Sequence, residues 1–338
     1  MSAYDGCVAI EHQPDDLRAR YRSAVEIARH GAIGNLGEGA EIAAHGVPTR
    51  LIAWPGTGYQ TEAVHVLTLD PGVASDRYAY ELAEEALLCY KGSGEIWLRE
   101  RWVSMRAGDI AYVPEGVERA LRNPAGEGAP FVVVTQITPP QFDLYTDHGF
   151  YSVEAGVMNF DAISKACANS GRVALGDENE MAFHDSDADV RLWCLSRDDV
   201  RRDGALFNVM MGAPFTGIGL PMRLVLWPGA GCRTAGFNYA FAPDGITDVI
   251  HKHPVSDECL MLWSGQGWFF VGNRWVAAQA GDCALAPQGV VHGHRSDGDC
   301  HFGGFASPPQ LDLLLPTDYY SAGRFLTPEA TRLDLDGT

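Results

Sequence analysis

Three histidines and one glutamate stand in this chain at spacings that can bring their side chains together. His251 and His253 are two residues apart, so on a β-strand both imidazoles project to the same side. A short turn through Pro254-Val-Ser-Asp257 brings Glu258 back on the neighbouring strand, and Pro287-x-Gly289 turns a later strand so that His292 aims inward. Three neutral imidazoles and a carboxylate suit a divalent first-row metal, and in an octahedral shell they leave about two positions for water, substrate or dioxygen. His294 lies two residues beyond His292 and on a continuing strand would face the same interior. It reads as a group beside the metal, a hydrogen-bond donor or an acid/base, or as an exposed histidine at the strand end.

The elements that must position these residues are short strands joined by glycine and proline turns. The full pattern is Gly245-x5-His251-x-His253-x4-Glu258-x6-Gly265, then fifteen residues, then Gly281-x5-Pro287-x-Gly289-x2-His292. In its nine fixed positions it resembles the two-part signature of the cupin superfamily. The resemblance implies an all-β, double-stranded β-helix (jelly-roll) barrel with one divalent transition metal at His251, His253, Glu258 and His292. Fe(II) is favoured, with Mn, Ni or Zn as alternatives. Many cupins carry Asn four residues after the final His; Ser296 stands there.

The same unit occurs twice. Thr49-Arg-Leu-Ile-Ala-Trp-Pro-Gly-Thr-Gly58 and Met222-Arg-Leu-Val-Leu-Trp-Pro-Gly-Ala-Gly231 correspond at an offset of 173 residues, and the register holds from Gly72 and Gly245 to Gly108-Asp and Gly281-Asp. After a four-residue slip, Pro139-Pro-Gln-Phe-Asp143 matches Pro308-Pro-Gln-Leu-Asp312. A period this long, present twice, is a duplicated domain, and the whole chain resembles a bicupin. At the positions of His251, His253 and His292 the first copy has Tyr78, Tyr80 and Arg119; only Glu85 repeats Glu258. A phenol ligates poorly at neutral pH and a guanidinium cannot ligate a cation, so the first barrel is expected to hold no metal. Arg119 and Glu85 should form a buried ion pair under the tyrosines; the alternative is a second pocket that uses Arg119 to hold a carboxylate.

The repeat divides the chain into an N-terminal helical extension (1–47), a metal-free barrel (48–145), a connecting segment (146–220), and a metal-binding barrel with a tail (221–338). Residues 12–31 show helical spacing after Asp15-Asp16, and a short helix is expected near Phe160 to Ala168. The acidic run Gly176-Asp-Glu-Asn-Glu180 with Asp185, Asp187 and Asp189 reads as a solvated loop, against a calcium site or a lid. Arg50 and Arg223, and Trp54 and Trp227, recur in both copies and read as structural. Of Asn238 and Tyr239, alternation lets only one face inward, and the sequence does not decide which.

With 44 carboxylates against 25 Lys and Arg, the net charge is −19. Such a surface repels phosphate backbones and anionic lipid, which excludes nucleic acid and membrane as partners. The absence of a leader pattern and of a long apolar run points to the cytoplasm. Eight cysteines without a Cys-x-x-Cys pair read as reduced core residues, with Cys283 placed to line the pocket. Pairing through exposed barrel edges makes a homodimer the expected assembly.

Three functions remain open, because one scaffold hosts many chemistries. The first is an Fe(II) dioxygenase acting on an oxygenated aromatic or dicarbonyl small molecule, as the similarity to gentisate-type and quercetin dioxygenases implies. Gentisate-type enzymes usually keep their metal histidines in the first barrel, unlike this chain. The second is a metal enzyme that does not use dioxygen: an aminohydrolase like the ureidoglycine-processing bicupins, an isomerase or an oxalate decarboxylase. The third is a non-catalytic binding cupin.

Overall fold

The structure, a computed structural model, describes residues 15–124, 128–169, 188–192, 195–217 and 220–310. Its described part is mostly antiparallel β. In the C-terminal half the sheet runs Ala32–Asn35, Asp282–Ala286, Asp257–Val271, Gly293–Ser307, Gly236–Ala242, Leu220–Leu226, Ala213–Gly217, with Arg274–Gln279 pairing the far end of Asp257–Val271. The N-terminal half repeats the order: Ala205–Asn208, Asp109–Val113, Glu84–Lys91, Phe131–Thr138, Ala63–Leu69, Val47–Ala53, Ala40–Ala44. There the outer layer is a separate sheet of Arg101–Arg106, Ser93–Leu98 and Leu121–Arg122.

The first strand of each sheet comes from the other half. Ala32–Asn35 pairs with Asp282–Ala286, and its repeat counterpart Ala205–Asn208 pairs with Asp109–Val113. Each is clipped by the same bond: Asn35 Nδ2 donates to Asp282 Oδ1 at 2.7 Å, and Asn208 Nδ2 donates to Asp109 Oδ1 at 3.2 Å. The stretch up to residue 47 is therefore more than the helical extension expected of it, since Ala32–Asn35 and Ala40–Ala44 are strands of the two sheets. The repeat also begins earlier than the sequence comparison detected, because short polar caps and four-residue strands leave little identity to align.

The helix expected over 12–31 is confined to Ala24–His30. Ser23 and Glu26 form a reciprocal capping box that starts it, and Gly31 at φ 70° ends it. Before it lie two 3₁₀ turns, Asp15–Leu17 and Ala19–Tyr21. Its counterpart, Arg197–Asp203, has the same box from Ser196 and Asp199. The helix expected near Phe160–Ala168 is present as Phe160–Asn169. Of the acidic run, Asp189 is exposed and pairs with Arg101 at 2.5 Å, and the rest lies outside the described residues.

The two halves share one core. Tyr59, Val64, Leu88, Tyr112 and Phe207 join Phe237, Trp263, Phe269 and Phe305 in a single buried cluster. The interface is latched by two carboxylates related by the repeat. Glu84 accepts the backbone N–H of Arg233, Thr234 and Ala235 at 2.9, 2.7 and 2.9 Å. Asp257 accepts those of Gln60 and Thr61, both at 2.7 Å. Thr138 Oγ1 and Ser307 Oγ, equivalent in the repeat, meet at 2.6 Å. The molecule is thus two like halves about a local pseudo-twofold. No helix among the described residues is long and apolar enough to cross a membrane.

Candidate metal centre

Backbone pairing builds the site. His251 and His292 form an antiparallel bridge, with N–H to O distances of 2.9 and 2.8 Å. Gly289, at φ 78° in the turn before His292, donates its N–H to His253 O at 2.8 Å. Glu258 opens the strand Asp257–Val271, opposite Ala286 on one neighbour and Ala306 on the other. The ligand-capable atoms of His251, His253, Glu258 and His292 all lie within 4.8 Å of one another, as the sequence anticipates.

The polar atoms in this cluster fit a cation. His292 Nδ1 is 3.0 Å from Val290 O, and His251 Nδ1 is 2.7 Å from Val249 O. A carbonyl only accepts, so these Nδ1 atoms carry the hydrogens, and in the neutral ring Nε2 presents a lone pair. His292 Nε2 nevertheless faces Glu258 Oε2 at 2.8 Å, and His253 Nε2 faces the same oxygen at 3.2 Å. Electron pairs converging at such distances repel unless a proton or a metal ion lies among them. Burial pushes the Glu258 carboxyl up, and only with a proton on the facing Nε2 atoms do the two imidazoles outweigh it and hold it well below the usual range. Burial, with His292 adding, lowers His251 to about 4, which keeps it neutral at pH 7.

Beside this cluster a glycine lets the Glu258 side chain pack close. A Cβ on Gly304 would sit 2.5 Å from Glu258 Oε1. Asn238, paired with Gly304, faces inward and donates from Nδ2 to Gln310 Oε1 at 2.8 Å. Tyr239 faces outward to His301, Oη to Nδ1 2.5 Å, which decides the open choice between them. Cys283 does not line the site. It pairs with Met261, one step out of phase with Glu258 and Ala286, and its Sγ abuts Gly34 of the exchanged strand. Cys89, Cys167, Cys232, Cys259, Cys283 and Cys300 are free thiols; Cys7 and Cys194 lie outside the described residues.

His294 is fully buried, which removes the exposed-rim alternative. Its ring lies 4.2 Å from that of Phe302, tilted to it, and 5.9 Å from that of Phe269, with Nε2 3.6 Å from Cys300 Sγ. Nδ1 has no hydrogen-bond partner among the described residues, and burial lowers the ring to about 4. Next to it is Asp248, which the sequence reading missed: its Oδ1 accepts the His294 N–H at 2.6 Å. Burial pushes the Asp248 carboxyl well up, with the charge of Glu258 adding to the effect. The signal was available in the repeat, where Ser75 and Leu121 occupy the positions of Asp248 and His294 and the Leu121 N–H donates to Ser75 Oγ. Ser296 ties the Gly245 loop, accepting the Ile246 N–H at 2.9 Å, and touches no ligand.

In the N-terminal half Arg119 and Glu85 form the expected ion pair, Nε to Oε2 2.7 Å, both fully buried. The Arg119 guanidinium lies 4.9 Å from the Tyr78 ring centroid and 4.5 Å from that of Tyr80. His45 stacks on Tyr78 at 3.5 Å and bonds the Tyr80 hydroxyl at 2.8 Å. Trp54 and Trp227 are buried at the starts of matching 3₁₀ turns, Pro55–Thr57 and Pro228–Ala230. Arg50 pairs with Glu41 and Arg223 Nη1 donates to Gly212 O at 3.1 Å, both structural roles.

The cupin domain family matches this chain twice, over residues 65–135 and 237–302. Among solved structures, protein Ylba from E. coli is similar over 85% of this chain and 93% of its own, with TM-score 0.56 and 12% identity. A putative glyoxylate-induced protein from Pseudomonas aeruginosa covers 91% and 96%, with TM-score 0.55 and 14% identity. A mutant of the Bacillus subtilis oxalate decarboxylase OxdC covers 82% and 77%, with TM-score 0.51 and 16% identity. At such identities the likeness is one of fold. No curated protein matches by sequence. The chain thus carries two cupin domains, one in each of two like barrels.

Proposed function

We propose that the C-terminal barrel is a mononuclear metal enzyme, in which His251, His253, Glu258 and His292 hold one divalent first-row ion, Fe(II) favoured, and that it is a dioxygenase of an oxygenated aromatic or dicarbonyl small molecule. The observation that supports it most is the convergence of the imidazole Nε2 atoms of His253 and His292 on Glu258 Oε2, with the four ligand-capable atoms within 4.8 Å. The bound ion would orient substrate oxygens and dioxygen and accept charge as they combine.

The chain's own residues shape the rest. Gly304 lets the Glu258 side chain pack close against the strand Gly293–Ser307, and Ala306 stands opposite Glu258 on that strand. Asn238 offers the polar group at one wall. Tyr59, from the N-terminal half, donates its hydroxyl to Glu258 O at 2.6 Å and accepts the Ala286 N–H at 3.0 Å, holding the carboxylate's backbone from behind. His294 and Asp248 are the groups that can hold or move a proton.

Metal analysis of protein purified without added metal, followed by aerobic and anaerobic turnover of catechol-, gentisate- and β-dicarbonyl-type compounds, tests the reading. About one ion per chain and oxygen uptake are expected; protein with no first-row metal would sink it. The burial of Asp248 and His294 also suits proton-transfer chemistry, so a metal-dependent hydrolase, isomerase or decarboxylase is the second reading. Turnover undiminished under anaerobic conditions would select it.

A further inference from the structure

The metal-free barrel has a cavity of its own at its mouth, about 420 Å³ in volume, within the range that small-molecule sites occupy. Two returning segments of the chain build it. The strands Ala40–Ala44 and Val47–Ala53 are joined by a two-residue turn, His45 at φ 52° and Gly46 at φ 78°, both positive as the tightest hairpin turns require. After the barrel the chain comes back through the helical turn Asp143–Thr146 and the hairpin of Tyr151–Ser152 with Val157–Met158. The cavity takes its lining from both segments.

Aromatic rings form much of that lining. His45 joins the cavity to the barrel, its ring parallel to that of Tyr78 and bonded to the Tyr80 hydroxyl. Burial, with Arg119 adding, holds His45 below the ordinary imidazole value against the carboxylates of Glu85, Asp143 and Asp76, so at pH 7 it is an uncharged ring. Phe142 and Tyr151 add two more, their centroids 4.7 Å apart and their planes tilted by 49°. Phe142 is 40% exposed, which leaves part of it to be covered.

The fixed charge in the lining is of one sign. Asp143 and Asp147 both border the cavity, at the two ends of one helical turn, and neither side chain has a hydrogen-bond or ion-pair partner among the described residues. Like charges at this spacing repel, so the fold itself gains nothing from the pair. No lysine or arginine lines the cavity. Two carboxylates repel an anion, and they do not converge as metal ligands do: among the described residues only the cluster at His251 has that geometry. Ring faces attract a cation through their negative quadrupole, most of all one whose charge is spread over methyl or methylene groups.

We propose that the cavity at the metal-free mouth binds a small organic ammonium ion, its carbon-bound hydrogens against the rings of His45, Phe142 and Tyr151 and its charge balanced by Asp143 and Asp147. The site makes no use of the metal centre in the other barrel, and its test is independent of the function proposed there.

Choline and its uncharged isostere 3,3-dimethylbutan-1-ol separate recognition of charge from recognition of shape. Titrated into the full chain at low salt and followed by the amide resonances of His45, Asp147 and Tyr151, choline should saturate with a Kd of about 1 mM or below. The isostere should bind at least about tenfold more weakly. Asp143→Asn with Asp147→Asn should weaken choline by about fivefold or more and leave the isostere unchanged. A chain of net charge −19 draws in any cation. The control is therefore Asp198→Asn with Asp297→Asn, two exposed carboxylates outside the cavity lining, which should keep choline binding within about twofold of wild type. Absence of saturable choline binding, equal binding of the two probes, or a loss in Asp143→Asn with Asp147→Asn no larger than in the control overturns the proposal.

Discussion

The mouths of the two barrels have the same backbone and opposite chemistry. Tyr78 bridges Arg119 as His251 bridges His292, and Gly116 donates to Tyr80 O as Gly289 donates to His253 O, each at 2.8 Å. On one frame a guanidinium supplies the positive charge that satisfies the glutamate common to both copies; on the other, imidazoles leave that glutamate facing electron pairs. Thr135 Oγ1 donates to Glu85 Oε1 at 2.7 Å, whereas its counterpart Gly304 offers Glu258 no such bond, and Glu258 Oε1 itself takes up the place of the missing side chain. The difference shows one buried glutamate met by a guanidinium in the first barrel and by imidazoles in the second, where a bound cation would take the place of the guanidinium.

His292→Arg puts the first barrel's cation into the second, and should take metal content from about one ion per chain to none, with turnover lost, as read by elemental analysis. A variant that keeps its ion would break the comparison. Arg119→Met should cost about 3–5 kcal/mol in urea unfolding, because Glu85 is left buried without its charge partner. Adding Glu85→Leu should restore much of it, and a double variant as weak as the single would place the cost in packing instead.

The pH response of the metal-free protein follows from its buried histidines. Burial lowers His251 and His294 to about 4 and His65 to about 3, against roughly 6.5 in the unfolded chain. The unfolded state therefore takes up protons first as pH falls, so the stability these neutral rings contribute is whole above about 6.5 and is lost progressively toward 4. Thermal melting across that window should show a decline that bound metal delays; a flat profile would mean that the rings are solvated.

His294→Leu, the residue of the metal-free copy at that position, should leave metal content unchanged and lower turnover by roughly 10²-fold, the usual loss for an acid/base group. Full activity would return His294 to a packing role between Phe302 and Phe269. The smallest effect is expected from Tyr59→Phe, which removes the bond to Glu258 O and should cost about 1 kcal/mol of stability. Metal affinity should weaken with it, since the ligand's backbone is held from that side.

The repeat makes most of this legible from the residues alone. Ligand spacing, the ion pair of Arg119 and Glu85 and the all-β architecture all follow from residues whose neighbours on strand or turn are fixed by periodicity. What stays hidden depends on contacts between distant stretches. Nothing in Ala32–Asn35 says that its partner lies near residue 285, because a four-residue strand has too little pattern to choose between two similar edges. Cys283 reads as a pocket residue because a strand's phase cannot be assigned without its partner. Asp248 escapes notice because its role appears only beside the backbone N–H of His294.

The exchanged strands make the chain a fused pair. Cut between its repeats, each piece would keep a first strand shaped for the other barrel and a latch, Glu84 or Asp257, shaped for the other loop. A single copy alone would find its missing strand in a second molecule, as in a swapped homodimer. The dependence runs from the metal-free half to the other: without its strand Ala32–Asn35 and its Tyr59, the second barrel would lose both an edge and the support behind Glu258.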